Sequence, residues 1–352
     1  MKKVNVLSFC TWTSIGSVLQ AFGLKKALEA NGCESNLLLS TEENLFHSNG
    51  KTSLKSLASC VFRLVIQRDR KRAYSKRCDF ITQNLDVLPY DCYEDLTCMV
   101  LGNQDSIYLV GSDQIWHPDR CYKHFFLEFV HNQKCASYAA SMGKTEIPNE
   151  NLELFRSMLS RLDLISVREV QCKEVLQPLT EKEIGVHIDP TFLIEADTWR
   201  QHEKKYQVHE PYILLYMIYW DPDCKEQIKK LKKRTGLPVY AICSGLSRVY
   251  ADKKLFDVGV EEFLWLVDNA EYVITSSFHG VALSVIFNKK FAAVINPSSP
   301  SRIQNLMDVL KIPRVSIDQL DKTDNINYEV VNECAKFERQ KGMRYLKKII
   351  NL

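Results

Sequence analysis

Short apolar runs alternate with stretches of helical periodicity along nearly the whole chain. Strand-like runs fall at 4–9, 34–39, 106–110, 135–141, 164–167 and 186–188, then again at 212–219, 239–243, 272–275 and 291–295. Helical patterns lie between and after them, at 17–29, 151–162, 169–176, 225–235, 260–267, 281–287, 302–310 and 328–350. The first helix shows the pattern clearly, with Val18, Leu19, Ala21, Phe22, Leu24, Ala27 and Leu28 on one stripe and Asn31-Gly32 as its stop. Parallel strands need crossovers, and helices supply them. The alternation therefore predicts an α/β protein with parallel sheets. A chain of 352 residues fits two domains of ordinary size. The polar stretch 191–211 interrupts the series, so the expected division is an N-terminal α/β half at 1–195, a C-terminal α/β half at 196–325, and a final helix at 326–352 packing back on the first half. The expected fold class is α/β, two Rossmann-like doubly wound domains facing a cleft.

Doubly wound domains carry their ligands at the carboxyl ends of the strands. The sharpest such end is Tyr272-Val273-Ile274-Thr275, followed by Ser276-Ser277-Phe278-His279-Gly280 and the helical 281–287. A helix starting directly after a strand aims free N–H groups and its positive dipole end at the cleft, which suits an anion. Ser276 or Ser277 caps it, Gly280 lets a ligand approach the backbone, and His279 adds a titratable group. The plainer reading is a capped helix with an ordinary half-buried histidine. Gly111-Ser112-Asp113-Gln114 ends another strand, where Asp113 reads either as a functional carboxylate or as an Asx turn.

Composition excludes several classes. A net charge of +3, with 45% hydrophobic and 25% charged residues, describes a globular protein without a general affinity for nucleic acid. The 12 cysteines form no paired spacing with one another or with the 8 histidines, so no metal site is expected and the thiols read as reduced. The N-terminal apolar run is too short for a signal peptide, and no window reaches the ~18 apolar residues of a spanning helix. A cytoplasmic protein is expected.

Five tracts occur in the order and spacing of a known family. They are 110–116 (Val110-Gly111-Ser112-Asp113-Gln114-Ile115-Trp116), 137–143, 165–169, His187-Ile188-Asp189-Pro190-Thr191 ahead of Trp199, and Ser277-Phe278-His279-Gly280 with 287–291 after it. The early tract 16–22, with Gly16 and Gln20, belongs with them. Together they resemble the polysaccharide pyruvyl transferase family over roughly residues 4–315. The first tract departs from many relatives at Trp12-Thr13-Ser14-Ile15, where those carry Asn or Tyr near the glycine. The resemblance implies a fold like that of the glycosyltransferase B type. It also implies transfer of the pyruvyl group of phosphoenolpyruvate onto two hydroxyls of a glycan, giving a cyclic ketal and phosphate. The implied acceptor is a lipid-linked precursor of a surface polysaccharide such as a capsule or exopolysaccharide. Phosphoenolpyruvate is then a co-substrate, and no cofactor or metal is implied. The rivals are a glycosyltransferase using a nucleotide sugar on the same fold, and a non-catalytic ligand-binding protein.

Given that donor, Arg168 suits its carboxylate, because a planar guanidinium binds carboxylates through two parallel bonds; otherwise Arg168 is a surface arginine paired with Glu169 or a neighbour. His279 serves as proton donor to the enol methylene or as a phosphate ligand. Ser277, Gly280 and Arg302 complete the expected donor site, a cation in the first turn of a helix being at odds with the dipole. Asp113 is expected to orient or deprotonate acceptor hydroxyls. Gly16 and Ser17 open the first helix, either as a plain turn or as a second anion site for an acceptor diphosphate. Gln114 and Trp116 fall on the acceptor side, Trp116 stacking on a sugar face or packing inside. Finally, 51–77 carries nine Lys or Arg against one Asp, interleaved with apolar residues. It reads as the solvated face of a packed helix, or as a basic helix touching the inner face of the cell membrane.

Overall fold

The computed structural model describes residues 2–10, 14–41, 57–103, 105–120, 122–243, 249–297, 301–322 and 326–352, with backbone alone for 57–66. Trp12, Thr13 and the start of the basic segment, 51–56, lie outside the described residues.

The N-terminal sheet takes β1 (Lys3–Leu7), β2 (Glu34–Ser40), β3 (Val87–Tyr90), β4 (Ile107–Val110) and β5 (Cys135–Ser137), all parallel, in the order β3-β2-β1-β4-β5. A parallel pair, β6 (Ile165–Val167) and β7 (Ile184–Val186), extends its edge through bridges from Ala136 to Leu164 and from Ala140 to Val167. The C-terminal sheet takes β8 (Ile213–Tyr216), β9 (Val239–Ile242), β10 (Lys253–Leu255), β11 (Tyr272–Thr275) and β12 (Lys290–Ala293). It repeats the same order, β10-β9-β8-β11-β12, again all parallel. β4, β9 and β11 are buried at every residue, as strands covered by helices on both faces must be. In each sheet the strand order reverses beside the first strand, between β1 and β4 and between β8 and β11. The carboxyl ends of those pairs are the two switch points.

The helices are α1 (Ile15–Ala30), α2 (Leu57–Asn84), α3 (Tyr93–Gly102), α4 (Leu152–Arg161), α5 (Val170–Leu176), α6 (Ala196–Arg200), α7 (Cys224–Thr235), α8 (Val260–Asp268), α9 (Phe278–Ile286), α10 (Ser301–Val309) and α11 (Tyr328–Ile350). Ser14 caps α1 by accepting the Ser17 N–H at 3.3 Å. Gly32, at φ +79°, turns the chain into β2. Helix α9 starts at Phe278, three residues ahead of its expected start, because Ser277 Oγ accepts the Gly280 N–H at 3.4 Å and caps the helix there. The edge strands β3 and β10 and helix α3 were not foreseen.

One apolar core runs through both sheets. It joins Val4 and Val6 of β1 and the buried face of α1 to Leu214 of β8, Phe263 of α8, Val281 of α9 and Leu346 of α11. Helix α1 lies close against the turn 190–193, where a Cβ on Gly23 would come within 2.5 Å of the Pro190 carbonyl oxygen. Helix α11 returns to the N-terminal sheet. Tyr345 donates to the Ser137 carbonyl at 3.2 Å and stacks on His187 at 4.2 Å, and Arg339 Nε donates to the Phe192 carbonyl at 2.7 Å. Helix α2 reaches across to α8, where Lys76 Nζ lies 2.9 Å from Glu262 and 2.8 Å from the Asp257 carbonyl. Its Arg68, Arg70, Lys71 and Arg72 face solvent. Among the described residues no helix is long and apolar enough to cross a membrane.

Candidate active site

Five of the stretches singled out in the sequence follow parallel strands, and the sheets bring them to one place. Gly111–Gln114 follows β4, the 139–143 loop follows β5, Arg168 and Glu169 follow β6, Asp189 follows β7, and Ser277–Gly280 follows β11. The β4 and β5 loops are pinned to each other. Asp113, held at φ +74°, bridges Ala140, and its carbonyl accepts the Ser141 N–H at 3.0 Å. Gln114 lies flat on Gly143, where a Cβ would fall 2.0 Å from its side-chain nitrogen.

At the centre is a buried charge network. Arg168 is 3% exposed; its Nη1 binds Asp189 Oδ2 at 2.7 Å and its Nε binds Glu169 Oε1 at 2.8 Å. Ser112 donates to the same Asp189 oxygen at 3.1 Å, and Ser141 donates to Glu169 at 3.0 Å. Thr191 supplies Asp189 Oδ1 with its N–H at 3.0 Å and its hydroxyl at 2.9 Å. Burial alone would raise the Asp189 pKa, but Arg168, His279 and the Thr191 N–H together hold it below the ordinary carboxylate range. Burial works against the Arg168 charge too, and Glu169, Asp189 and Asp113 outweigh it and push the pKa up. The guanidinium sits 4.2 Å from the centre of the Phe278 ring, a cation–π contact that ties β6 to the first turn of α9.

His279 stands in that first turn, 6% exposed. Burial pushes its pKa down; Asp189 and Asp113 pull it up, and Arg168 and Arg302 push it down again. Its ordinary value is about 6.5, so the free protein carries a neutral imidazole at pH 7. Arg302 leans over from α10 to within 3.6 Å of Asp113 Oδ1. Its pKa is lowered by burial before the neighbouring charges act. Three buried side-chain nitrogens here have no hydrogen-bond partner among the described residues: Arg168 Nη2, His279 Nε2 and Arg302 Nε. Buried polar groups are rarely left so. With them stand the backbone N–H groups at the start of α9 and its dipole. Among the described residues no group of three or more His, Cys, Asp or Glu is arranged to hold a metal ion.

Several expectations need correction. Trp116 does not face the cleft. It is 1% exposed, stacks on Phe126 at 5.1 Å, and spends its indole N–H on the Phe125 carbonyl at 2.9 Å. Ser17 is turned away as well, fully buried, with its hydroxyl donating to the Ser14 carbonyl at 2.9 Å. Gly16 lies against the His279 ring. Arg168 is no open carboxylate fork, since two of its three nitrogens are held by carboxylates. The structure adds residues that the sequence reading left without a role. Asp189, Glu169, Ser112 and Ser141 sit inside the quoted tracts, which was their signal. Gln20 of α1, fully buried, donates at 2.6 Å to the Oγ of Ser8, which follows β1. Asn305 had no signal. It accepts the Val170 N–H at 3.2 Å and donates to the Arg168 carbonyl at 3.4 Å, fastening α10 onto the N-terminal half.

Two doubly wound halves with their switch points turned to one shared site define the glycosyltransferase B architecture. An α-glucosyltransferase solved with UDP and a 13-mer DNA superposes with a TM-score of 0.50 at 12% identity, covering 98% of this chain and 95% of its own. A UDP-N-acetylglucosamine 2-epimerase from Listeria monocytogenes, described as putative, gives 0.50 at 11%, covering 97% and 90%. At such identities the likeness is one of fold. The polysaccharide pyruvyl transferase family model matches residues 15–299, and the chain belongs to that family. No curated protein matches the sequence significantly.

Proposed function

We propose that the protein moves the pyruvyl group of phosphoenolpyruvate onto two hydroxyls of a glycan, forming a cyclic ketal and releasing phosphate. The observation that carries this reading is the set of unpartnered nitrogens on Arg168, His279 and Arg302 beside the start of α9. A small ligand with a carboxylate and a phosphate satisfies all three and the helix terminus together. Asp189 and Glu169 fix the Arg168 plane, so that only Nη2 is offered.

The chemistry then follows from the groups present. A proton goes to the enol methylene carbon of the donor, from His279 once the bound anion has raised its pKa. The neighbouring carbon becomes electrophilic and takes the first acceptor hydroxyl, whose proton passes to Asp113. The C–O bond to phosphate breaks, phosphate leaves with the electron pair, and the second hydroxyl closes the ketal and gives up its proton. One proton is added at carbon and two leave the hydroxyls; one of these makes good the proton given up by His279, and the other departs on the phosphate as hydrogen phosphate. In this reading Arg302, 3.6 Å from Asp113, neutralises the departing phosphate. A lipid-linked acceptor fits the exposed bases on α2, which suit an anionic membrane surface on the cytoplasmic side.

The test is to incubate the purified chain with phosphoenolpyruvate and a panel of free and lipid-linked saccharides. Phosphate release with a matching ketal by mass spectrometry, lost in His279→Ala, supports the reading. Transfer from a nucleotide sugar with release of UDP, and none from phosphoenolpyruvate, overturns it in favour of glycosyl transfer.

A further inference from the structure

Gly16 is the second residue of α1, and His279 is the second of α9. A Cβ placed on Gly16 would lie 2.2 Å from His279 Nδ1, 2.7 Å from Cγ and 2.9 Å from Cε1. Real contacts never come so close, so the imidazole occupies the space that a side chain at position 16 would fill. The contact joins the first turns of two helices from opposite halves of the chain. Phe278 stands edge-on to the ring at 5.2 Å, and Nε2 has no hydrogen-bond partner among the described residues. The ring is therefore fixed from the N-terminal half by a bare α-carbon. Local preference runs the other way, because alanine forms helix better than glycine.

We propose that Gly16 is a positioning residue that seats the His279 imidazole, so that any side chain there displaces the ring and weakens binding of the anionic donor. This rests on the reading of the site as a phosphoenolpyruvate pocket. The seat itself can be tested without that reading. Four proteins are compared: wild type, Gly16→Ala, His279→Ala and the double variant. Thermal unfolding is measured for all four, and phosphoenolpyruvate is titrated into each. The His279 Cε1–H resonance, identified by its loss in His279→Ala, is recorded without ligand for wild type and Gly16→Ala.

With the ring present, Gly16→Ala should lower the melting temperature. With the ring removed, the same change should raise it, because only the helix preference remains. The His279 resonance should shift in Gly16→Ala. Phosphoenolpyruvate affinity should fall at least tenfold in Gly16→Ala, with no further loss from that change in the His279→Ala background. The same melting shift in both backgrounds, or an unmoved resonance, overturns the proposal. Should Gly16→Ala fail to fold, a folded double variant supports the seat and an unfolded one overturns it. If wild type binds no phosphoenolpyruvate, the functional reading fails, while the melting cycle and the resonance still decide the seat.

Discussion

Arg168 and Asp189 show how far a single residue could be read from sequence. An arginine after a strand is expected at the carboxyl edge of its sheet, but its neighbours in space come from the ends of β5 and β7 and from α10, and their approach is a property of the fold. The sequence leaves Trp116 between two readings for the same reason: nothing in its tract tells a sugar platform from a core ring, and Phe126 settles it as a core ring. The pair leads to a stability prediction. Asp189→Ala strands a buried guanidinium and should cost about 3–5 kcal/mol in urea unfolding at pH 7. Because the folded pKa of Asp189 is depressed, its contribution is present above the unfolded value of about 3.9 and disappears as pH falls through the folded one. The gap between wild type and variant should therefore begin to narrow below about pH 3.9 and go on narrowing as pH falls through the folded value; a gap constant with pH would contradict this. His279 gives the second prediction. Its pKa in the free protein lies below the ordinary value, and a bound anion raises it, so binding takes up a proton. Phosphoenolpyruvate should stabilise the protein more at pH 6.5 than at pH 8, as read by thermal shift, and His279→Gln should flatten that difference.

At the scale of elements, the central strands were legible because they are covered on both faces and read as unbroken apolar runs. The edges were not. β3 contains Pro89, tolerable only at an edge, and β10 is Lys253-Lys254-Leu255, whose register with β9 decides it more than its own composition does. The sequence places the start of α9 three residues late because the apolar helical pattern begins at Val281; Ser277, one of the two caps the sequence offers, sets the start at Phe278. Of the two roles its sequence suggested for helix α2, packing is visible at one end. Lys76 is spent on Glu262 and the Asp257 carbonyl, so this end is a packed element. Arg68, Arg70, Lys71 and Arg72 remain exposed. At about 1 kcal/mol per base near an anionic surface, changing all four to Gln should weaken binding to phosphatidylserine vesicles by up to about 4 kcal/mol in a sedimentation assay at low salt. Equal binding by variant and wild type would make this a solvated face only.

Across the whole molecule, the alternation of strand and helix announced two doubly wound halves, and both sheets have that order. What the pattern does not carry is how the halves meet. His279 on Gly16, Arg302 at Asp113 and Asn305 at Arg168 each join residues more than a hundred positions apart. A core shared by β1, β8 and α11 also predicts shared stability. Leu346→Ala, removing a fully buried side chain from α11, should cost about 2–5 kcal/mol and lower hydrogen-exchange protection in both sheets together; loss confined to one sheet would contradict a shared core. The central claim is that the cleft between the halves takes phosphoenolpyruvate as donor. Titration calorimetry with phosphoenolpyruvate and with UDP-N-acetylglucosamine, on wild type and Arg302→Ala, tests it most directly. The account predicts saturable binding of phosphoenolpyruvate that Arg302→Ala weakens by more than tenfold, with no comparable heat from the nucleotide sugar. Tight nucleotide-sugar binding beside no binding of phosphoenolpyruvate would contradict it.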